Sequence, residues 1–229
     1  MHTLNGPSLQ PLSGGNPQQL VILLHGVGSD GDDLISLAPY FQKILPDAKF
    51  ISPHAPFAFD MAPQGHQWFS LQEMTPEARL AGAQTAAPIL DAFINAQLAA
   101  TGLGDDKLAL VGFSQGTMMA LHVGLRRANP VAGILGYSGM LVGPELLADA
   151  IQSRPPVLLA HGDADDVVPV SALSDAVAGL EAAGVPVTHH TSRGLGHGLD
   201  DEGITKGMEF LAGVFGIDLE AMAAEQSPA

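Results

Sequence analysis

The amino-acid sequence predicts an α/β protein whose mostly parallel central sheet is covered by helices on both faces. Short apolar runs bounded by Gly, Pro and Asp alternate along the chain with longer segments rich in Ala and Leu, as strands alternate with crossover helices. The run Leu108–Phe113 reads LALVGF and is apolar without alternation, which is typical of a strand buried on both faces. We therefore expect this strand near the centre of the sheet.

Strands and helices are expected to follow one another in strict alternation. The apolar runs are too short to be core helices, and each longer segment lies between two strands or closes the series. The predicted strands are 20–24, 49–52, 108–113, 132–138, 157–160 and 185–191. The predicted helices are 34–45, 76–101, 115–128, 143–153, 171–183 and 205–215.

The chain of 229 residues contains no internal repeat and no Pro/Ser-rich linker, so we expect a single domain over 1–217. The acidic, Ala-rich segment 218–229 is expected to be a frayed tail. Segment 139–156, between two predicted strands, has room for one helix but not for a large cap domain. The irregular segment 53–75 is long for a loop inside a domain, so it is a candidate wall of a binding pocket.

Composition excludes several classes of function. The chain contains nine Lys and Arg residues and 24 Asp and Glu residues. The resulting net charge of −15 disfavours a nucleic-acid partner. The absence of Cys excludes thiolate nucleophiles, disulfides and Cys-ligated zinc. No segment reaches the roughly 18 apolar residues of a membrane span, and no leader pattern precedes the first strand. A cytoplasmic protein without stable membrane insertion is the resulting expectation.

The segment Gly112-Phe113-Ser114-Gln115-Gly116 is a GxSxG motif between a predicted strand and a predicted helix. A sharp strand-to-helix turn of this kind exposes the serine hydroxyl, and glycines flank it because side chains there would collide across the turn. The surrounding strand and helix make the motif far more specific than the pentapeptide alone. It predicts a nucleophile elbow with Ser114 at its tip.

A serine hydroxyl needs a base and an orienting carboxylate, which follow the nucleophile in the order Ser, Asp, His in this type of sheet. The segment HGDADDVVP follows the strand at 157–160 and offers Asp163, Asp165 and Asp166 as candidate acids. The glycine-rich segment GLGHG follows the last strand and presents His197 as the candidate base.

Hydrolysis of an acyl group also requires donors that stabilise the oxyanion. One donor is expected from the backbone N–H of the residue after the nucleophile, and the other from the loop after an early strand. These positions correspond to Gln115 and Val27, and the loop around Val27 reads LHGVGSDG, with glycines that allow a close backbone approach.

The ordered set of motifs LHGVGSDGDD, SPHAP, QWF, VGFSQGT, HGDADDVVP and GLGHG spans nearly the whole chain. In this order it resembles the phospholipase/carboxylesterase group of α/β-hydrolases, which includes acyl-protein thioesterases and small bacterial carboxylesterases. The resemblance implies the α/β-hydrolase fold and a site without metal or cofactor. It also implies that Ser114 is the nucleophile, Asp165 the acid and His197 the base. The backbone amides of Val27 and Gln115 are implied as the oxyanion donors.

The resemblance carries three further expectations. Trp68 and Phe69 match an aromatic pair that lines the acyl pocket of the family, although the loop before them lacks the Asn-rich stretch that the family often has. Asp166 is the alternative acid, because the choice of Asp165 rests on the family's HGxxD-x-VVP spacing. A homodimer is suggested by the resemblance alone.

Other polar clusters have simpler explanations than a metal site. His189 and His190 are adjacent on a predicted strand and so point to opposite faces of the sheet. Segment 30–33 (DGDD) lacks the spacing of a calcium loop, and an Asp cap on the following helix explains it. His25 and His161 precede glycines at the sheet edge, where they are expected to shape loops.

These features predict a cofactor-independent serine hydrolase that cleaves short- to medium-chain esters, or thioesters, through an acyl-enzyme on Ser114. One alternative is a lysophospholipase or acyl-protein thioesterase that acts on long-chain substrates. A catalytically silent binding protein with a hydrolase fold is the alternative from a different class.

Overall fold

A computed structural model describes residues 3–225 of the chain. The strands are β1 (Ser8–Leu9), β2 (Gln19–Leu24), β3 (Ala48–Ile51), β4 (Phe57–Ala58), β5 (His66–Gln67), β6 (Leu108–Phe113), β7 (Gly133–Tyr137), β8 (Val157–Gly162) and β9 (Val187–Ser192). The α-helices are α1 (Gly31–Leu34), α2 (Ala38–Gln42), α3 (Pro76–Thr101), α4 (Gln115–Gly124), α5 (Leu147–Ala150), α6 (Ser171–Ala182), α7 (Asp201–Phe215) and α8 (Leu219–Glu225).

Seven strands form the main sheet in the order β1-β3-β2-β6-β7-β8-β9, and β4 pairs with β5 in a separate two-stranded sheet. Only the short edge strand β1 runs antiparallel in the main sheet of the described residues. Apolar side chains pack on both faces of the sheet, in one cluster with α3, α4 and α6 and in another with α2 and α7. The predicted mostly parallel α/β architecture and the central position of β6 are therefore confirmed.

The register of the sheet brings the functional segments together. Leu24 of β2 pairs with Gly112 of β6, and Phe113 pairs with Tyr137 of β7. The carboxyl ends of β2, β6 and β8 consequently lie at one edge, where ligand sites of parallel sheets form. The loop after β2 contains Val27, the turn after β6 contains Ser114, and the loop after β8 contains Asp165.

Several helices differ in extent from the prediction. The predicted helix 34–45 is instead α1, a 3-10 turn over Ile35–Leu37 and α2. It begins early because the Asp30 carboxylate accepts a hydrogen bond from the Asp33 N–H, and it is interrupted because Pro39 lacks an N–H for a continuous helix. Helix α7 likewise begins at Asp201, four residues earlier than expected, because the Asp200 side chain caps it.

Other differences concern short elements and the chain end. The predicted helix 115–128 ends at Gly124, and the predicted helix 143–153 is a 3-10 turn over Pro144–Leu146 followed by α5. Three strands that were not predicted, β1, β4 and β5, have two residues each, too few for a periodic pattern. Helix α8 lies in the segment expected to be a frayed tail, and 226–229 lie outside the described residues.

Between residues 3 and 225, no helix combines the length and the apolar character that crossing a bilayer requires.

The two glycines of the GxSxG motif are required by a close approach of α4 to the sheet. A Cβ atom at Gly116 would lie 1.8 Å from the carbonyl oxygen of Leu24, and one at Gly112 would lie 2.4 Å from the backbone nitrogen of Thr117. Both obstacles are backbone atoms, so no side-chain rotation can relieve the overlap. The first turn of α4 can therefore rest on the end of β2 only with glycine at 116.

We expect Gly116→Ala to lower the free energy of unfolding by at least about 2 kcal/mol, because the added methyl group forces β2 and α4 apart. Gly213→Ala is the matched control, since Gly213 lies in α7 with no atom within 4 Å of the added Cβ. Alanine there should be neutral or stabilise by up to about 1 kcal/mol. Urea unfolding of both variants measures the difference, and equal stabilities would contradict the close approach.

Candidate active site

Ser114 occupies a strained turn between β6 and α4. Its backbone has φ 54° and ψ −116°, a region that residues with a side chain rarely adopt. The turn is held by a hydrogen bond of 2.8 Å from the Ser114 N–H to the carbonyl of Tyr137 on β7. The side chain is thereby presented at the carboxyl edge of the sheet, at the first turn of α4, as the sequence motif predicts.

Of the three candidate acids, Asp165 is the one that contacts His197. Its Oδ2 lies 2.8 Å from Nδ1 of the His197 ring, and its side chain is completely buried. Its Oδ1 accepts hydrogen bonds from the N–H groups of Val167 at 2.9 Å and Val168 at 2.8 Å. Asp163 instead accepts a hydrogen bond of 2.6 Å from the N–H of Gly194, which ties the loop that carries His197 to the end of β8.

The hydrogen bonds decide the charge state of Asp165. Burial acts to raise the pKa of its carboxyl group, but the bonds from His197, Val168 and Val167 act in the opposite direction and hold the pKa below its usual value. The carboxylate is therefore ionised at neutral pH. It can orient the imidazole and stabilise its protonated form.

His161 is a further contact of this carboxylate. Its Nε2 lies 2.8 Å from the carbonyl oxygen of Val168, to which it donates, and 3.3 Å from Oδ2 of Asp165. The ring is 3% exposed. It therefore fixes the turn 165–168 that supplies the amide bonds to Asp165, a more specific role than the loop shaping expected from the sequence.

The two predicted oxyanion donors are the amide of the residue after Ser114 and an amide of the loop after β2. Among the described residues, the backbone N–H groups of Val27 and Gln115 have no hydrogen-bond acceptor. The loop that holds Val27 passes close to the serine, because a Cβ on Gly26 would lie 3.2 Å from the Cβ of Ser114. Both amides are therefore available to a group bound at Ser114.

His25 and His66 fix the loop around Val27. The N–H of Gly28 donates to the carbonyl of His66 at 2.8 Å, and the N–H of His66 donates to the carbonyl of Ser29 at 2.8 Å. The His25 ring donates from Nδ1 to the Gly26 carbonyl at 2.7 Å and accepts at Nε2 from the Ala55 N–H at 2.9 Å. Burial lowers the pKa of His25 to about 4, which keeps the ring in this neutral form.

Trp68 and Phe69 are buried, with 0% and 3% of their surfaces accessible. The Trp68 indole donates from Nε1 to the His25 carbonyl at 3.0 Å. The Gln115 side chain binds the same segment twice: its Oε1 accepts from the Trp68 N–H at 2.8 Å, and its Nε2 donates to the Phe69 carbonyl at 2.8 Å. Both side chains belong to the buried apolar cluster that includes α3 and α4, and the expectation that they line an acyl pocket stays a prediction.

One group of potential metal ligands lies near the site. Asp30, Asp32 and His54 place ligand atoms within 4.8 Å of one another. The Asp30 carboxylate caps α1, and Nδ1 of His54 accepts from the N–H of Gly31 at 3.1 Å. These contacts hold the end of the loop that follows β2, so we assign the group to loop structure.

The arrangement around Ser114 is suited to acyl transfer. His197 belongs to it because its ring centroid lies 5.0 Å from that of Phe113, the residue before the serine. One edge of the sheet therefore carries three features. These are a hydroxyl on a strained strand-to-helix turn, an imidazole paired with a buried carboxylate, and two amides without acceptors among the described residues. Together with the mostly parallel seven-stranded sheet, they define the protein as an α/β-hydrolase.

Comparison with known proteins identifies the family within this class. The profile described as Phospholipase/Carboxylesterase matches residues 12–214, and the chain belongs to this family. It is a carboxylesterase-type hydrolase, as the resemblance implied.

Similar proteins include both esterases and thioesterases. The esterase YpfH of Escherichia coli is 27% identical over 85% of this chain and 82% of its own length. Acyl-protein thioesterase 1 of Saccharomyces cerevisiae is 29% identical over 67% of this chain and 73% of its own. Among solved structures, esterase PE8 superimposes with a TM-score of 0.89 and 46% identity, covering 93% of this chain and 99% of that one.

We expect Gln115→Met to lower the free energy of unfolding by about 2 kcal/mol, because the buried Trp68 N–H and Phe69 carbonyl lose their partners. The chain has a single tryptophan, so its fluorescence should report a looser environment for Trp68. Gln152→Met, at an exposed position, is the control and should change stability by less than about 0.5 kcal/mol. A Gln115→Met variant as stable as wild type would contradict this role of the side chain.

Proposed function

We propose that the protein hydrolyses short- to medium-chain carboxylic esters, or thioesters, through an acyl-enzyme on Ser114. The observation that carries the proposal is the 2.8 Å hydrogen bond between Nδ1 of His197 and the buried carboxylate of Asp165, beside a serine held in a strained turn. The bond leaves Nε2 of the imidazole as the atom that accepts the proton of the Ser114 hydroxyl.

In the proposed reaction, the Ser114 oxygen attacks the carbonyl carbon while its proton passes to Nε2 of His197. The imidazolium then donates this proton to the leaving alcohol or thiol as the bond to the acyl carbon breaks. A water molecule attacks the resulting acyl-enzyme, His197 accepts its proton, and the proton returns to Ser114 as the carboxylic acid departs. Asp165 remains ionised throughout and stabilises the imidazolium.

The carbonyl oxygen gains negative charge in both tetrahedral intermediates. The backbone N–H groups of Val27 and Gln115 are proposed to donate to it, and the unpaired state of both amides among the described residues supports this assignment. The amino terminus of the ten-residue helix α4, which begins at Gln115, adds a partial positive charge at the same point.

Substrate length is proposed from the surroundings of the serine. The segment between β7 and β8 contains only a 3-10 turn and the four-residue helix α5, so it forms no large cap to enclose a long acyl chain, and the net charge of −15 disfavours an anionic membrane surface as the source of substrate. The similarity to proteins named as esterases supports an ester as the substrate. A long-chain lysophospholipase or thioesterase is the second candidate, favoured by the similarity to acyl-protein thioesterases and by the exposed side chains of Met61 and Met74 in the loop before α3.

Ser114→Ala should reduce kcat/KM for p-nitrophenyl esters by more than about 1,000-fold while the melting temperature is retained, because the nucleophile is lost without a change in packing. Ser36→Ala, at an exposed serine, is the control and should retain full activity. Activity of Ser114→Ala above about a hundredth of wild type would contradict the assignment of the nucleophile.

The same assay with esters from acetyl to palmitoyl tests the substrate. We expect activity to peak at short or medium chains. A peak at long chains would support the lysophospholipase or thioesterase instead, and the absence of Ser114-dependent hydrolysis of any ester would support a silent binding protein.

A further inference from the structure

A cavity with a volume of about 350 Å³ lies far from Ser114, between α3 and the carboxyl-terminal part of α4. His122 and Arg126, which line it, follow Ser114 by eight and twelve positions on α4 and the turn after it. A helical residue rises about 1.5 Å, so twelve residues place Arg126 roughly 18 Å from Ser114 along the axis of α4. The cavity is therefore separate from the site of hydrolysis.

Arg126 is a cation that has no direct ion-pair partner among the described residues. The chain has 24 acidic side chains, yet among the described residues none forms an ion pair with the partly buried Arg126. Its guanidinium makes one hydrogen bond, from Nη1 to the carbonyl of His122 at 2.9 Å. Partial burial lowers the pKa of Arg126, which reflects the incomplete solvation of its charge. The remaining donors of the fork suit a carboxylate.

The neighbouring arginine does not compete for a ligand. The guanidinium of Arg127 is bound by Asp91 and, at 2.6 Å, by Asp105, and it donates to the Asn95 side chain at 2.9 Å. These contacts use both carboxylates that line the cavity. The formal charges of the two lining carboxylates and the two lining guanidinium groups sum to zero, but both carboxylates contact Arg127, and among the described residues neither pairs with Arg126.

His122 supplies a second polar group on the same wall. The ring lines the cavity and is 4% exposed, and its Nδ1 has no hydrogen-bond partner among the described residues. Burial, with a smaller contribution from the charge of Arg126, lowers the pKa of His122 to about 4. A neutral imidazole keeps one N–H donor, and an unsatisfied buried polar group of this kind costs stability until a partner binds.

The lining also contains the apolar side chains of Ala87, Pro88 and Val123. We propose that this cavity binds a small carboxylic acid in its ionised form, with the carboxylate on Arg126 and the His122 ring and the apolar body against α3. A carboxylic acid is also the class of product that a carboxylesterase releases. Such an acid could therefore bind in this cavity while the substrate occupies the site at Ser114.

The test is an NMR titration of the ¹⁵N-labelled full chain with benzoate, butyrate and inorganic phosphate. We expect benzoate to shift the Arg126 Nε–H signal and the amide signals of 122–128 in a saturable manner. Arg126→Gln should weaken this binding by at least about tenfold, since a charge-assisted bidentate contact is lost. Arg154→Gln is the matched control, because the exposed Arg154 forms no ion pair within residues 3–225 and lies outside the cavity, and this variant should bind benzoate as wild type does.

A second variant keeps the test decisive if Arg126→Gln is poorly folded. Ala87→Leu adds bulk from α3 without changing any charge, and it should also abolish the shifts. Equal binding by wild type and both variants, or benzoate shifts confined to residues around Ser114, would overturn the proposal. Phosphate binding as tight as that of benzoate would contradict the assignment to a carboxylate with an apolar body.

Discussion

The close contact between the start of α4 and the end of β2 is the constraint on which the site depends. Because Gly116 has no side chain, the helix meets the Leu24 carbonyl directly, and the chain must turn sharply at Ser114 to enter the helix. The contact sets the serine beside the loop that carries Val27. It also places the amide of Gln115 in the first turn of the helix, where no intrahelical acceptor exists.

The polar groups around this turn are fixed by bonds between segments distant in sequence. The Gln115 side chain joins the nucleophile turn to the segment at Trp68, and His25 joins the loop after β2 to Ala55. On the other side, Asp165 is surrounded by donors that keep it ionised although it is buried. Preorganised donors of this kind lower the cost of charge development, because little rearrangement is needed during the reaction.

The sequence predicted the sheet and the order of the site residues, because apolar periodicity and the GxSxG context are local signals. It did not predict the side-chain role of Gln115 or the contact of His161 with Asp165. The partners of Gln115 are 46 and 47 residues away, and no local pattern marks such a pairing. The burial of Trp68 and Phe69 was likewise hidden, since an aromatic pair in a loop fits both a pocket and a core. The cavity at Arg126 depends on which carboxylates Arg127 occupies, which only the packing of α3 against α4 reveals.

Covalent labelling of Ser114 tests the central claim most directly. The protein is treated with a fluorophosphonate, and the adduct is measured by intact-protein mass spectrometry and located by peptide mapping. The account predicts one adduct per chain, on Ser114, and a rate of labelling that falls strongly in His197→Asn because the hydroxyl loses its base. No adduct, an adduct on a different serine, or a rate unaffected by the loss of His197 would contradict it.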